Sequence, residues 1–73
     1  MSMDQWKISI DMKTVKPRDV WTVLSMAMLN AIEPPFQGFR YLIVRYREKQ
    51  TALGKASQIE RAVHCAAIEV EEV

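Results

Sequence analysis

Cysteine, histidine and glycine are scarce in this chain of 73 residues, and each scarcity closes off a class of function. A lone cysteine, Cys65, cannot form a disulfide within the chain. Together with the lone histidine, His64, it falls short of the four ligands of a structural zinc site. No metal and no cofactor are expected. The two glycines, Gly38 and Gly54, are too few for a Gly-rich phosphate cradle. The opening residues, Met1-Ser2-Met3-Asp4-Gln5, carry neither the basic segment nor the apolar run of a secretory signal. No stretch approaches the ~18 apolar residues of a membrane span. The densest, Val20 to Ile32, is broken by Thr22, Ser25 and Asn30. With an unpaired thiol, these features lead to the expectation of a cytoplasmic protein without a membrane partner.

The composition is that of a folded chain, with 49% hydrophobic and 26% charged residues. The length suits a single domain spanning residues 1–73. A chain this short buries only roughly 60% of the surface its unfolded form exposes, so its core is marginal. Small domains offset that with disulfides, a metal or a subunit interface. With the first two excluded, a homodimer or docking on a larger protein is expected.

Charge is unevenly spread. Residues 1–33 sum to zero, residues 34–55 to +4 and residues 56–73 to −3. A basic middle segment of this kind attracts phosphate or an acidic protein surface. The bland reading is that its arginines pair with the acidic C-terminus.

Trp6, Ile8, Ile10 and Met12 alternate with Lys7, Ser9, Asp11 and Lys13, the two-residue period of a strand with one wet face. Pro17 suits a first helical turn, and Asp19 follows where the helix dipole favours an acid. A helix is expected from Pro17 to about Ile32, with Val20, Trp21, Val23, Leu24, Ala27, Met28 and Ala31 on its buried face. Glu33-Pro34-Pro35 ends it. Phe39 to about Lys49 reads as a second, more central strand, because both of its faces begin apolar. Gln50 to Ala56 reads as a turn around Gly54. Ser57-Gln58-Ile59-Glu60 fits a capping box and opens a helix over 58–67. Ile68-Glu69-Val70-Glu71 alternates like a strand, leaving a short C-terminal third strand open. The expected fold is α+β, a small two-layer sandwich in β-α-β-α order.

The motifs that would carry chemistry fail on inspection. His64 and Cys65 are adjacent, so their side chains diverge and do not form a nucleophile–base pair. Glu60 and His64, four apart, suit an ion pair. Leu53-Gly54-Lys55-Ala56 resembles the end of a phosphate-binding loop. It has Lys49 where the motif needs glycine and Ala56 where it needs serine or threonine. Glu69, Glu71 and Glu72 stand together near residue 73, the pattern of a solvated tail and not of paired catalytic carboxylates. We therefore expect no enzyme and no catalytic residue.

Two binding surfaces remain. Met26 and Leu29 stand among Arg18, Thr22, Ser25, Asn30 and Glu33 on the polar side of the first helix. Two apolar residues there make a docking patch, and methionine adapts to varied partners. The expected partner-binding residues are Thr22, Met26 and Leu29, with Arg45 and Arg47 on the strand. The alternative is a nucleic-acid-binding regulator using Phe39, Tyr41, Arg45, Arg47 and Lys49, aromatics for stacking and cations for phosphates. Gln37-Gly38-Phe39-Arg40-Tyr41-Leu42 falls short of the RNA-recognition-motif strand pattern: Gln37 replaces a basic residue and Arg40 a small one. The chain also reads as two strands too few for that motif, so no family is assigned. The leading expectation is a small adaptor, inhibitor or regulator acting by protein–protein contact, in the manner of a phage or mobile-element accessory protein.

Overall fold

The computed structural model describes residues 5–64 and 66–73. Six elements alternate along them: β1 (Trp6–Asp11), α1 (Val20–Met28), β2 (Phe36–Gln37), β3 (Tyr41–Tyr46), α2 (Lys49–Ala62) and β4 (Ala67–Glu72). The strands form one antiparallel sheet in the order β2-β3-β1-β4. This is the split β-α-β arrangement, with both helices on one side of the sheet.

The α+β sandwich and the β-α-β-α order hold, and the C-terminal third strand is real. The chain also has a short strand the pattern did not announce, β2, which pairs Phe36 with Ile43 and Gln37 with Leu42. Among the described residues there are therefore four strands, where the sequence pattern reads two and leaves a third open. Two residues carry too little periodicity to be read as a strand in advance.

The alternation in β1 and β3 sorts the buried side chains as expected. However, β3 is shorter than 39–49, and β1, paired over six residues on both sides, is the more central strand. Ile8, Ile10, Leu42, Val44 and Tyr46 point toward the helices and are buried. Val23 and Ala27 of α1, with Ala52, Ala56, Ile59 and Val63 from α2 and its end, close over them. Ile68 and Val70 of β4 reach the same core only partly. The Tyr46 hydroxyl donates to the Ala27 carbonyl oxygen at 2.6 Å, tying β3 to α1.

The first helix is shorter than expected. A 3-10 turn at Pro17–Asp19 leads into it, and it stops at Met28, well before Pro34-Pro35. The cause is a reverse turn: Leu29 is extended, Asn30 has φ 68°, and the Ala31 amide donates to the Met28 carbonyl. That is type II geometry, and asparagine is one of the few residues that tolerates its left-handed position. The buried arc of α1 is also narrower than its composition implied. Trp21 is 78% and Met28 57% exposed, because neither the sheet nor α2 covers that flank.

The second helix begins earlier than expected. Residues 50–56 are not a turn, and Ser57 and Glu60 lie inside the helix instead of capping it. The stripe Ala52, Ala56, Ile59, Val63 repeats at helical spacing and outweighs Gly54. Lys55 is buried alongside it; a lysine stem covers apolar surface while its head keeps to water. Gly54 lies on the exposed side, and a Cβ there would meet nothing within 4 Å. Gly54→Ala is therefore expected to stabilise the domain by roughly 0.5–1 kcal/mol, measured as a higher urea midpoint with unchanged slope.

Candidate functional site

Because both helices lie on one side, the other face of the sheet is open. Its residues follow from strand register. Lys7, Ser9 and Asp11 of β1 stand opposite Arg45, Ile43 and Tyr41 of β3. On the far side they stand opposite Glu71, Glu69 and Ala67 of β4. Phe36 joins the face beside Ile43. The surface thus runs from an apolar, basic half on β2 and β3 to an acidic edge on β4.

A shallow groove of about 280 Å³ crosses the first half, lined by Lys7, Glu33, Pro34, Phe36, Ile43 and Arg45. It lies just under the ~300 Å³ at which small-molecule pockets begin. Phe36 is 66% exposed at its wall. Arg45 approaches Glu33 at 3.5 Å between Nε and Oε1, an exposed ion pair of little energetic weight. Lys7 and Arg45 are direct cross-strand neighbours, a like-charge pairing that weakens a sheet unless something balances it. Glu33 and Glu71 flank that pair.

The other end of the face is tied down. Arg40, in the β2–β3 turn, grips Asp11 through Nε–Oδ1 at 3.0 Å and Nη2–Oδ2 at 2.7 Å. The Lys13 amide donates to the same carboxylate. The Arg40 hydrogen bonds lower the Asp11 pKa below its ordinary value; burial opposes them, and the Lys13 amide and nearby positive charge add to the lowering. The Arg40 guanidinium also lies 5.5 Å from the Tyr41 ring centroid. The Thr14 hydroxyl donates to the Asp11 carbonyl and accepts from the Ala67 amide, so the ends of β1 and β4 are joined.

The arginines therefore do not pair with the acidic C-terminus. β1 lies between β3 and β4, and the partners of Arg40 and Arg45 are Asp11 and Glu33.

The residues expected to bind a partner separate onto two sides. Thr22 and Leu29 are exposed on and just after α1, but Met26 packs half-buried against the core. Arg45 is on the open sheet face, and Arg47 is exposed just after β3. Of the residues expected to bind nucleic acid, Tyr41 and Arg45 share the open face. Phe39 stands fully exposed in the β2–β3 turn. Lys49 opens α2, its Nζ 5.2 Å from the Trp6 ring centroid. Lys7, Phe36 and Ile43 also line the groove, and no local sequence pattern joins them to it. The alternation of β1 marked Lys7 as outward, but only the strand order shows that it neighbours Arg45.

His64 lies beyond the end of α2, off the helical face it was expected to share with Glu60, and Cys65 lies outside the described residues. Among the described residues no three His, Cys, Asp or Glu side chains converge as metal ligands. None of their helices is long and apolar enough to cross a membrane. A smaller cleft of about 190 Å³ gathers Lys16, Arg18 and His64, but Asp19 and the carboxyl end of α2 share it and oppose an anion. No family model, no curated protein and no solved structure matches the chain.

Proposed function

We propose that this domain is a non-catalytic binding protein, an adaptor, inhibitor or small regulator, whose larger protein partner docks on the open face of the sheet. One observation carries the reading: Phe36, Tyr41 and Ile43 lie uncovered or partly uncovered on that face among charges of both signs. An antiparallel sheet can leave one face to water. A face meant only for water has no need of an aromatic as exposed as Phe36. Apolar anchors ringed by mixed charge suit a protein surface, with the anchors supplying affinity and the rim supplying register.

A single-stranded nucleic acid is the second reading, favoured by Phe39 and Tyr41 beside Arg40. It ranks lower because Glu69 and Glu71 share the face and repel phosphate, while the Arg40 guanidinium is already held by Asp11. A second copy of the chain competes for the same face.

Phe36→Asp combined with Arg45→Glu tests the proposal. Both side chains are exposed, so the fold is expected to survive, as read by circular dichroism. Binding to a partner captured from native lysate is expected to weaken roughly 30-fold or more, as loss of an interface anchor does. Unchanged affinity removes the face from consideration. An affinity that collapses between low and physiological salt, and recovery that vanishes with nuclease, would favour nucleic acid instead. A sedimentation mass of twice the chain, abolished by the double substitution, would favour the homodimer.

A further inference from the structure

The two edges of the sheet are finished differently. The β2 edge is paired over only two residues and is preceded by Pro34 and Pro35, which cannot donate to a ladder. The β4 edge runs for six residues, Ala67–Glu72, with no proline and no lysine. It pairs with β1 on one side, and among the described residues no strand lies beyond it. In such a strand every second residue points its amide and carbonyl away from the sheet, a template for another chain.

Its side chains say what that chain would be. Ile68 and Val70 point toward α2 and are only partly buried, so the core is unfinished along this edge. Glu69 and Glu71 point to the open face. A second copy is a poor fit. Antiparallel β4–β4 pairing over the strand sets Glu69 or Glu71 against a glutamate of the partner, and like charges directly opposite destabilise a sheet.

We infer that the free edge of β4 takes an extended segment of a partner protein by strand addition, and that this segment alternates aliphatic residues with lysine or arginine. Its aliphatic side chains extend the core beside Ile68 and Val70. Its cations stand across from Glu69 and Glu71. Backbone hydrogen bonds to β4 supply affinity, and the alternation supplies selectivity. The inference is distinct from docking on the apolar half of the open face, because it uses the β4 edge, the two glutamates of that edge and the half-covered core beneath α2.

The test is an amide-resolved NMR titration of the whole chain with a capped peptide of sequence Lys-Val-Lys-Ile-Lys-Val. Shifts are expected to concentrate on residues 67–72, with alternate amides of β4 gaining protection from exchange. The same peptide with glutamate in place of lysine is expected to bind roughly tenfold more weakly, since attraction across the strand pair becomes repulsion. Glu69→Gln with Glu71→Gln is expected to erase most of that preference. Absence of binding up to the solubility limit of the peptide, or equal binding of the two peptides, would overturn the inference. So would shifts centred on Phe36, Ile43 and Arg45, which would support the open face instead.

Discussion

Truncating Ile8 to alanine is expected to remove 2–5 kcal/mol of stability, a large share of what this domain has. Ile8 is fully buried in β1, where it stands between Val44 of β3 and Val70 of β4. Both of its strand neighbours pack against it, so the sheet cannot close the void by shifting one edge. A chain of 73 residues has on the order of 4–11 kcal/mol of stability to lose. The variant is therefore expected to unfold at a much lower urea midpoint than the wild type at 25 °C. Ile68→Ala is the control: the same strand chemistry at the half-covered edge is expected to cost less than half as much. Equal costs would show that β4 is as deeply packed as β1 and that the edge is not open.

Alkali is expected to destabilise the domain through Tyr46. The ring is fully buried, its hydroxyl donates to Ala27, and burial raises the pKa from an ordinary 10.0 to about 12. The raised value means the folded state holds its proton longer than the unfolded state. Stability is then flat below pH ~10 and falls as pH rises toward ~12, by on the order of 2–3 kcal/mol. Tyr46→Phe removes the titrating group, so its stability is expected to stay flat over that interval after a loss of about 1–2 kcal/mol at neutral pH. Urea titrations at several pH values between 8 and 12 read both effects. A wild-type profile that does not fall above pH 10 would place the hydroxyl in contact with water.

What the sequence revealed and what it withheld follow from the range of each interaction. The faces of β1 and β3 were legible because a period of two needs only neighbouring residues. Pro17 marked the entry to α1 for the same reason. The end of α1 was misplaced because two prolines are a louder signal than one asparagine, although the left-handed turn at Asn30 acts first. Residues 50–56 carry a turn signal in Gly54, but Ala52 and Ala56, whose small side chains let a helix pack closely on its neighbours, prevail. The candidate site was less legible than the fold. Tyr41 and Arg45 were singled out, but Lys7 and Phe36 join them only through the order β2-β3-β1-β4. The partner of Arg40 is Asp11, 29 positions away, which no local pattern shows.

A protein partner docked on the open sheet face, and not on the helices, would leave its own oxidation footprint. The two sides carry different oxidisable side chains, Phe36 and Tyr41 on the sheet, Trp21 and Met28 on α1. Hydroxyl-radical footprinting of the chain, alone and with its captured partner, separates them in one experiment. Oxidation of Phe36 and Tyr41 is expected to fall several-fold in the complex while Trp21 and Met28 stay as reactive as in the free chain. Protection of Trp21 and Met28 with Phe36 and Tyr41 unchanged would contradict it and move the docking surface to α1.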